Sequence, residues 1–303
     1  MLAAEEGAAH HTPLIVQFVN HYFGEPVHHF QVAYTEKMWN HLVFRHFGTS
    51  AEQAFGPYTV ENAIPWYTIM FVIACILTVI IIKLLKGKLS EDDPTKGQMT
   101  LEAGFLALKD LAVSVIGEQG WKYFPVVATF AVLVLVSNLM GLFPLFMSPT
   151  ASVNVTFALA ITSFIYYNYI GIWQNGIVKY LAHFAGPRLP LLLTLIITPL
   201  IFTIELISNM IRPFTLGIRL FANMFADEQI SAQVANIYAP YTQFFVPIIL
   251  MPLAVFVAFV QTLVFTLLSM IYISLVISHD PHEHEHGSQH SAESGEAMAT
   301  AHV

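Results

Sequence analysis

The chain has 303 residues, 56% of them hydrophobic and only 11% charged, against about 25% charged in a typical soluble domain. So few charges cannot cover a soluble body of this size, and mean hydropathy is +0.63. An ordinary cytosolic enzyme, a nucleic-acid binder and a disordered chain are therefore excluded. The net charge of −8 gathers at the two ends, and the single Cys75 excludes an internal disulfide framework and a cysteine metal cluster.

Residues 1–60 begin acidic and lack the apolar core of a signal peptide. They are expected to form an extracytoplasmic extension. A membrane helix needs about 20 apolar residues, and three runs supply them: 64–85, 124–147 and 153–173. None alternates apolar with polar as a barrel strand does. The fold class expected is all-α, polytopic, with a membrane domain over 61–278.

Loop charge sets the expected orientation. Lys83, Lys86, Lys88, Lys96, Lys109 and Lys122 lie between the first two spans, none lies in 148–152, and Lys179 and Arg188 follow the third span. This pattern puts the N-terminus outside. Segment 99–117 has apolar residues at helical spacing and is expected to lie as an amphipathic linker on the inner face. No internal repeat is evident, and no GxxxxGK[ST] or HExxH motif occurs.

The last third holds two longer apolar stretches, 189–226 and 229–278. At 1.5 Å per residue each exceeds a perpendicular crossing. Each is either two short helices or one long tilted helix, and the prolines at 190, 199 and 213 permit both. The second stretch is uncharged, while Glu205, Arg212, Arg219, Asp227 and Glu228 lie in or beside the first. A charge at the bilayer centre costs about 2.5–3.5 kcal/mol even on lenient scales. Five within 24 residues call for partners, a wet cavity or a function.

On one helix, Glu205, Arg212 and Arg219 fall within about 40° of a common face and Asn223 joins them. Glu228 points about 180° from Arg219. No carboxylate stands three or four residues from Arg219, so its counter-charge must come from a distant segment or another chain. The bland alternatives are snorkelling at a helix end for the arginines and an ordinary interhelical hydrogen bond for Gln261.

The stretch PFTLGIRLFANMFADE (213–228) closely resembles the signature of the a subunit of rotary F-type ATP synthases. SNLMGLFP (137–144), SPTASVNVTFAL (148–159) and VQTLVFTLLSMIYISLV around Gln261 agree with the same family in order and spacing. The resemblance covers roughly 60–278. It implies transmembrane helices followed by a hairpin of two long, tilted helices against a ring of c subunits.

It also implies a non-catalytic stator that carries ions through two offset half-channels and so couples flow to rotation and ATP synthesis. Arg219 matches the family's essential arginine, Glu228 a carboxylate of the outer half-channel and Glu205 one of the inner. Asn223 and Gln261 match polar residues near the arginine, and Asn138 a position lining the outer channel, where its bland role is a helix–helix hydrogen bond. The implied partners are the c-subunit ring, the b-subunit peripheral stalk, the remaining synthase subunits and the lipid bilayer. No cofactor, metal or nucleic acid is expected.

Two positions depart from the family. Ala254 stands where His or Glu often pairs with the carboxylate matching Glu228, and Asp227 stands where Gly is common. Asp227 is read as supplying the polar group that Ala254 lacks, against the alternative of a solvated residue at a helix end. Residues 279–303 are His-rich and expected to be a disordered cytoplasmic tail. A bacterial inner membrane is the expected location. The rival functions are a stand-alone secondary transporter with an anionic substrate on Arg219, and a haem enzyme using the histidines. The missing repeat argues against the first and the position of the histidines outside the spans against the second.

Overall fold

A computed structural model describes residues 13–39, 64–87, 90, 94–143, 146–176, 180, 191–235 and 241–277. Among these the regular structure is helical: α1 (Leu14–Trp39), α2 (Trp66–Lys86), α3 (Lys96–Ile116), α4 (Gly120–Met140), α5 (Val153–Asn175), α6 (Leu191–Ala235) and α7 (Tyr241–Ile277), with a 3₁₀ turn at Pro149–Ala151 before α5. Five of the helices, α2 and α4 to α7, contain segments long and apolar enough to cross a membrane. The chain is a polytopic all-α membrane protein.

The boundaries have local causes. α2 starts after Pro65 and ends at Gly87, which takes φ 52°, with Lys83 and Lys86 in the last turn. Positive side chains there complement the helix dipole. The Thr95 hydroxyl caps α3 by accepting the Gln98 backbone N–H at 3.3 Å. Gly117, at φ 92°, releases the chain into α4. As expected of the linker, α3 buries only a stripe (Gln98, Ala112 and Ile116) against its neighbours.

α4 stops at Met140, seven residues before the end of the apolar run. Past Met140 the run turns at Gly141 and its Phe143 is 57% exposed, and the buried Pro149, Thr150 and Ala151 follow in the connection. Apolarity there does not mark helix.

The open question of the last third resolves to two continuous helices, α6 of 45 residues and α7 of 37. They measure about 68 and 56 Å, against a hydrocarbon core of roughly 30 Å. Pro199 and Pro213 lie inside α6 without ending it. The break between the two stretches is misplaced in the sequence reading: α6 runs through Asp227 and Glu228 to Ala235. Asp227 is therefore within a helix, not at its end.

Three buried clusters tie the bundle together. Val16, Ile69, Met70, Ala74 and Met140 join α1, α2 and α4. Val134, Leu159, Ala160, Leu216, Leu220 and Phe265 join α4 to α7. Ala112, Tyr123, Val127, Tyr167, Met270 and Ile273 join α3, α4, α5 and α7. α1 was not foreseen; its Gly24 and Pro26 read as turn residues. The His-rich tail and His10 and His11 lie outside the described residues.

Candidate functional site

α6 and α7 run antiparallel, and side-chain pairs fix their register. The Arg212 guanidinium lies over the Tyr272 ring, 5.5 Å from its centre. The Asn223 amide donates to Gln261 Oε1 at 2.6 Å. Eleven residues along α6 thus match eleven back along α7. The same register puts Ala254 level with Ile230, two residues beyond Glu228.

Arg219 sits on the exposed side of α6. Beside it runs a bare apolar face: Ile211 is 50% exposed, Ile218 41% and Phe225 42%. No carboxylate of the described residues lies within 4.0 Å of it; the ion pair found among them is Arg212 with Glu205, at 3.6 Å. The pair is the one that seven-residue spacing allows on a common face. It spares both charges part of their cost in an apolar setting, and the tyrosine ring under Arg212 adds a cation–π contact. Among the described residues Arg219 has no such relief.

Glu228 lies on the opposite side of the helix and is partly buried. Its Oε1 accepts the Ser148 backbone N–H at 3.2 Å. From Ser148 a chain of hydroxyls runs inward. Ser148 Oγ and Thr150 Oγ1 are 2.7 Å apart, Thr150 Oγ1 donates to Asn138 Oδ1 at 2.7 Å, and Asn138 Nδ2 donates to Thr262 Oγ1 at 3.4 Å. Thr262 neighbours Gln261 in sequence. Ser148 Oγ also reaches the Ser137 carbonyl at 3.0 Å. Two hydroxyl protons thus serve three contacts, so the chain can be polarised toward Asn138 or toward Ser137 by turning the hydroxyls.

The structure therefore brings Glu228 and Asn138 into one network and Asn223 and Gln261 into another. Glu205 is with Arg212 and stands 14 residues of helix from Arg219. Asp227 is partly buried next to Glu228, and Ala254 is 7% exposed. Gln261 Nε2 is buried without a hydrogen-bond partner. Sequence reasoning did not find Ser148, Thr150 or Thr262 as contributors. The signal for the first two was present: polar residues in an uncharged connection between spans, whose burial is only explicable if they are bonded. A second polar cluster was also missed, in which Tyr167 Oη donates to Asn209 Oδ1 at 2.9 Å and Asn209 Nδ2 to Asn168 Oδ1 at 3.3 Å.

The family described as ATP synthase A chain matches residues 67–274 of this chain. The chain belongs to it. It is similar to ATP synthase subunit a of Solibacter usitatus, at 40% identity over 221 residues covering 72% of this chain and 91% of the relative. It is also similar to subunit a of Aquifex aeolicus, at 36% over 207 residues and 67% and 93% coverage. With subunit a of Geobacter sulfurreducens it shares 40% over 202 residues, covering 67% and 82%. Membership makes it a multi-pass membrane component of the Fo sector of an ATP synthase, an assembly of several different chains. The matched span contains Asn138, Glu205, Arg219, Asn223, Asp227, Glu228 and Gln261. It excludes α1 and the His-rich tail.

Proposed function

We propose that this a subunit is the non-catalytic, ion-conducting stator that loads and unloads carboxylates on a ring of c subunits through two offset half-channels. One observation carries the reading. Arg219 is exposed on a long intramembrane helix with no carboxylate of the described residues beside it, while on the reverse face Glu228 accepts the Ser148 backbone N–H and a hydroxyl chain runs from the Ser148 side chain to Asn138. An arginine left so in a membrane requires an anion from outside the chain.

A rotor carboxylate fits that requirement. It must be neutral to face lipid, and an opposite charge within about 4–6 Å lets it ionise. Arginine does not give up its proton, so Arg219 attracts the carboxylate without relaying its proton and bars a direct leak between the two paths. Glu228, with Ser148, Thr150 and Asn138, serves the outer half-channel, and Glu205 the inner. Asn223 and Gln261 hold the helix pair beside the arginine. Asp227 supplies the polar group that Ala254 does not. The other partners are the b-subunit stalk and the remaining synthase subunits. The N-terminus lies outside and the tail in the cytoplasm of a bacterial inner membrane.

Inverted membrane vesicles carrying wild type or Arg219→Ala test this, with ATP-driven acidification and ATP hydrolysis followed side by side. Acidification is expected to vanish while membrane-bound hydrolysis remains. Unchanged acidification would remove Arg219 from the pivot.

A further inference from the structure

α1 lies outside the region shared with the family and is not among the helices apolar enough to cross a membrane. It nevertheless exposes large side chains: Phe18 at 63%, Tyr22 at 62%, Phe23 at 60%, Phe30 at 68% and Tyr34 at 53%. At 100° per residue these five fall within an arc of about 160°. The next stretch of the circumference holds Val16 and Asn20, 3% and 0% exposed. These two residues make the seat on the bundle. Val16 packs with Ile69 and Met70 of α2, and Asn20 Nδ2 donates to the Ile64 carbonyl at 3.2 Å. The remaining flank is mixed: it carries Gln17, His21 and Gln31 together with Val32 and Leu14, the last 73% exposed.

The seat is on the first turns of a membrane span. α1 is therefore held at the height where that span enters the bilayer, and its bonded contact lies in its first two turns. The rest of the helix, about 20 Å from Asn20 to Tyr34, carries the aromatic arc beyond the seat. One flank is mainly aromatic, with His29 within it; the other is mixed, and the bundle lies between them. On α2, Val72 and Ile76 are 51% and 55% exposed.

We propose that α1 lies in the plane of the membrane surface, with its aromatic arc in the interfacial layer of the leaflet at which α2 begins. The composition fits lipid better than a protein groove. Tyrosine and phenylalanine without a leucine seam are the residues of the bilayer interface. Glu25 is the one charged residue between 14 and 34, so the attachment is by apolar area and is independent of anionic lipid, unlike that of a basic amphipathic helix. The helix braces the entry of α2 against the bilayer plane.

The test uses the assembled synthase in vesicles of phosphatidylcholine alone. Cys75, the single cysteine, is replaced by serine. An environment-sensitive fluorophore is then attached at Phe18→Cys, Phe30→Cys, His21→Cys or Gln31→Cys, one at a time. Brominated phosphatidylcholine is expected to quench the labels at 18 and 30 at least threefold more than those at 21 and 31, and aqueous iodide to do the reverse. Equal iodide quenching at all four positions would overturn the proposal by putting the arc in water. Protection of positions 18 and 30 from both quenchers would overturn it by showing that protein covers the arc. Lipid quenching that appears only when phosphatidylglycerol is added would overturn the charge-independent attachment.

Discussion

Gln261 separates what a residue does for stability from what it does for transport. Its Oε1 is bonded to Asn223, yet its Nε2 is buried with no partner. An unpaired buried donor costs about 1–3 kcal/mol. Gln261→Leu removes that cost along with the bond, so thermal stability of the purified complex is expected to change by less than about 1 kcal/mol. ATP-driven acidification is expected to fall severalfold, because the amide bonded to Asn223, one turn of helix from Arg219, is gone. A large loss of stability with normal pumping would reverse this assignment. Asp227→Gly is the matching test at the other carboxylate. If Asp227 makes good what Ala254 lacks, passive proton flux through vesicles stripped of the catalytic sector drops, and an unchanged flux removes Asp227 from the path. Arg219 and Glu228 could be picked out in the sequence because charge is rare in apolar runs and each instance demands a reason. Thr262 could not, because a hydroxyl in a membrane helix has an ordinary use: bonding to its own backbone, as Thr262 does to the Ala258 carbonyl at 2.8 Å.

At the level of helices, close approach is set by small residues. A Cβ built on Gly120 would stand 2.7 Å from the Ala112 carbonyl oxygen and 3.0 Å from its carbon. These are backbone atoms, so no side chain can swing aside. Gly120→Ala must part α3 from α4, at a cost of about 1–3 kcal/mol. The expected outcome is a lower melting temperature of the complex and less of this chain in the membrane, with the coupling of the surviving enzyme intact. Uncoupled hydrolysis in the variant would show instead that the α3–α4 contact reaches the ion path. Periodicity and length made α2, α3 and α5 legible as helices, since each is a single apolar run or stripe bounded by Gly, Pro or a capping Thr. The lengths of α6 and α7 were not legible. Interior proline is compatible both with a break and with a bent continuous helix, and only packing against α5 and the partner helix decides. α1 was hidden for the opposite reason: Gly24 and Pro26 lower its helical propensity, and its exposed aromatic residues face away from the bundle.

Among the described residues five helices are long and apolar enough to cross a membrane; if each crosses once, the two ends lie on opposite sides, and the lysines of the α2–α4 connection predict that the N-terminal side is the outer one. A protease-cleavable tag after Val303 is expected to be removed from inverted vesicles, and one before Met1 to be removed only from intact spheroplasts. The reverse pattern would invert both half-channel assignments. This prediction rests on loop charge, a property readable before any coordinates, whereas the site itself needed them: Glu228 and Ser148 are 80 residues apart in sequence, and nothing local announces that they meet.

The bare flank of α6 has a consequence for the protein's lifetime in the cell. In its most apolar stretch 17% is covered by the rest of the chain, against 50% for α4 and 44% for α7. A newly inserted copy therefore offers the bilayer an arginine without a carboxylate beside it among the described residues, on a thinly supported helix. A helix with so few buried contacts opens from its bundle at low cost. Copies made ahead of the other synthase subunits are thus expected to be short-lived.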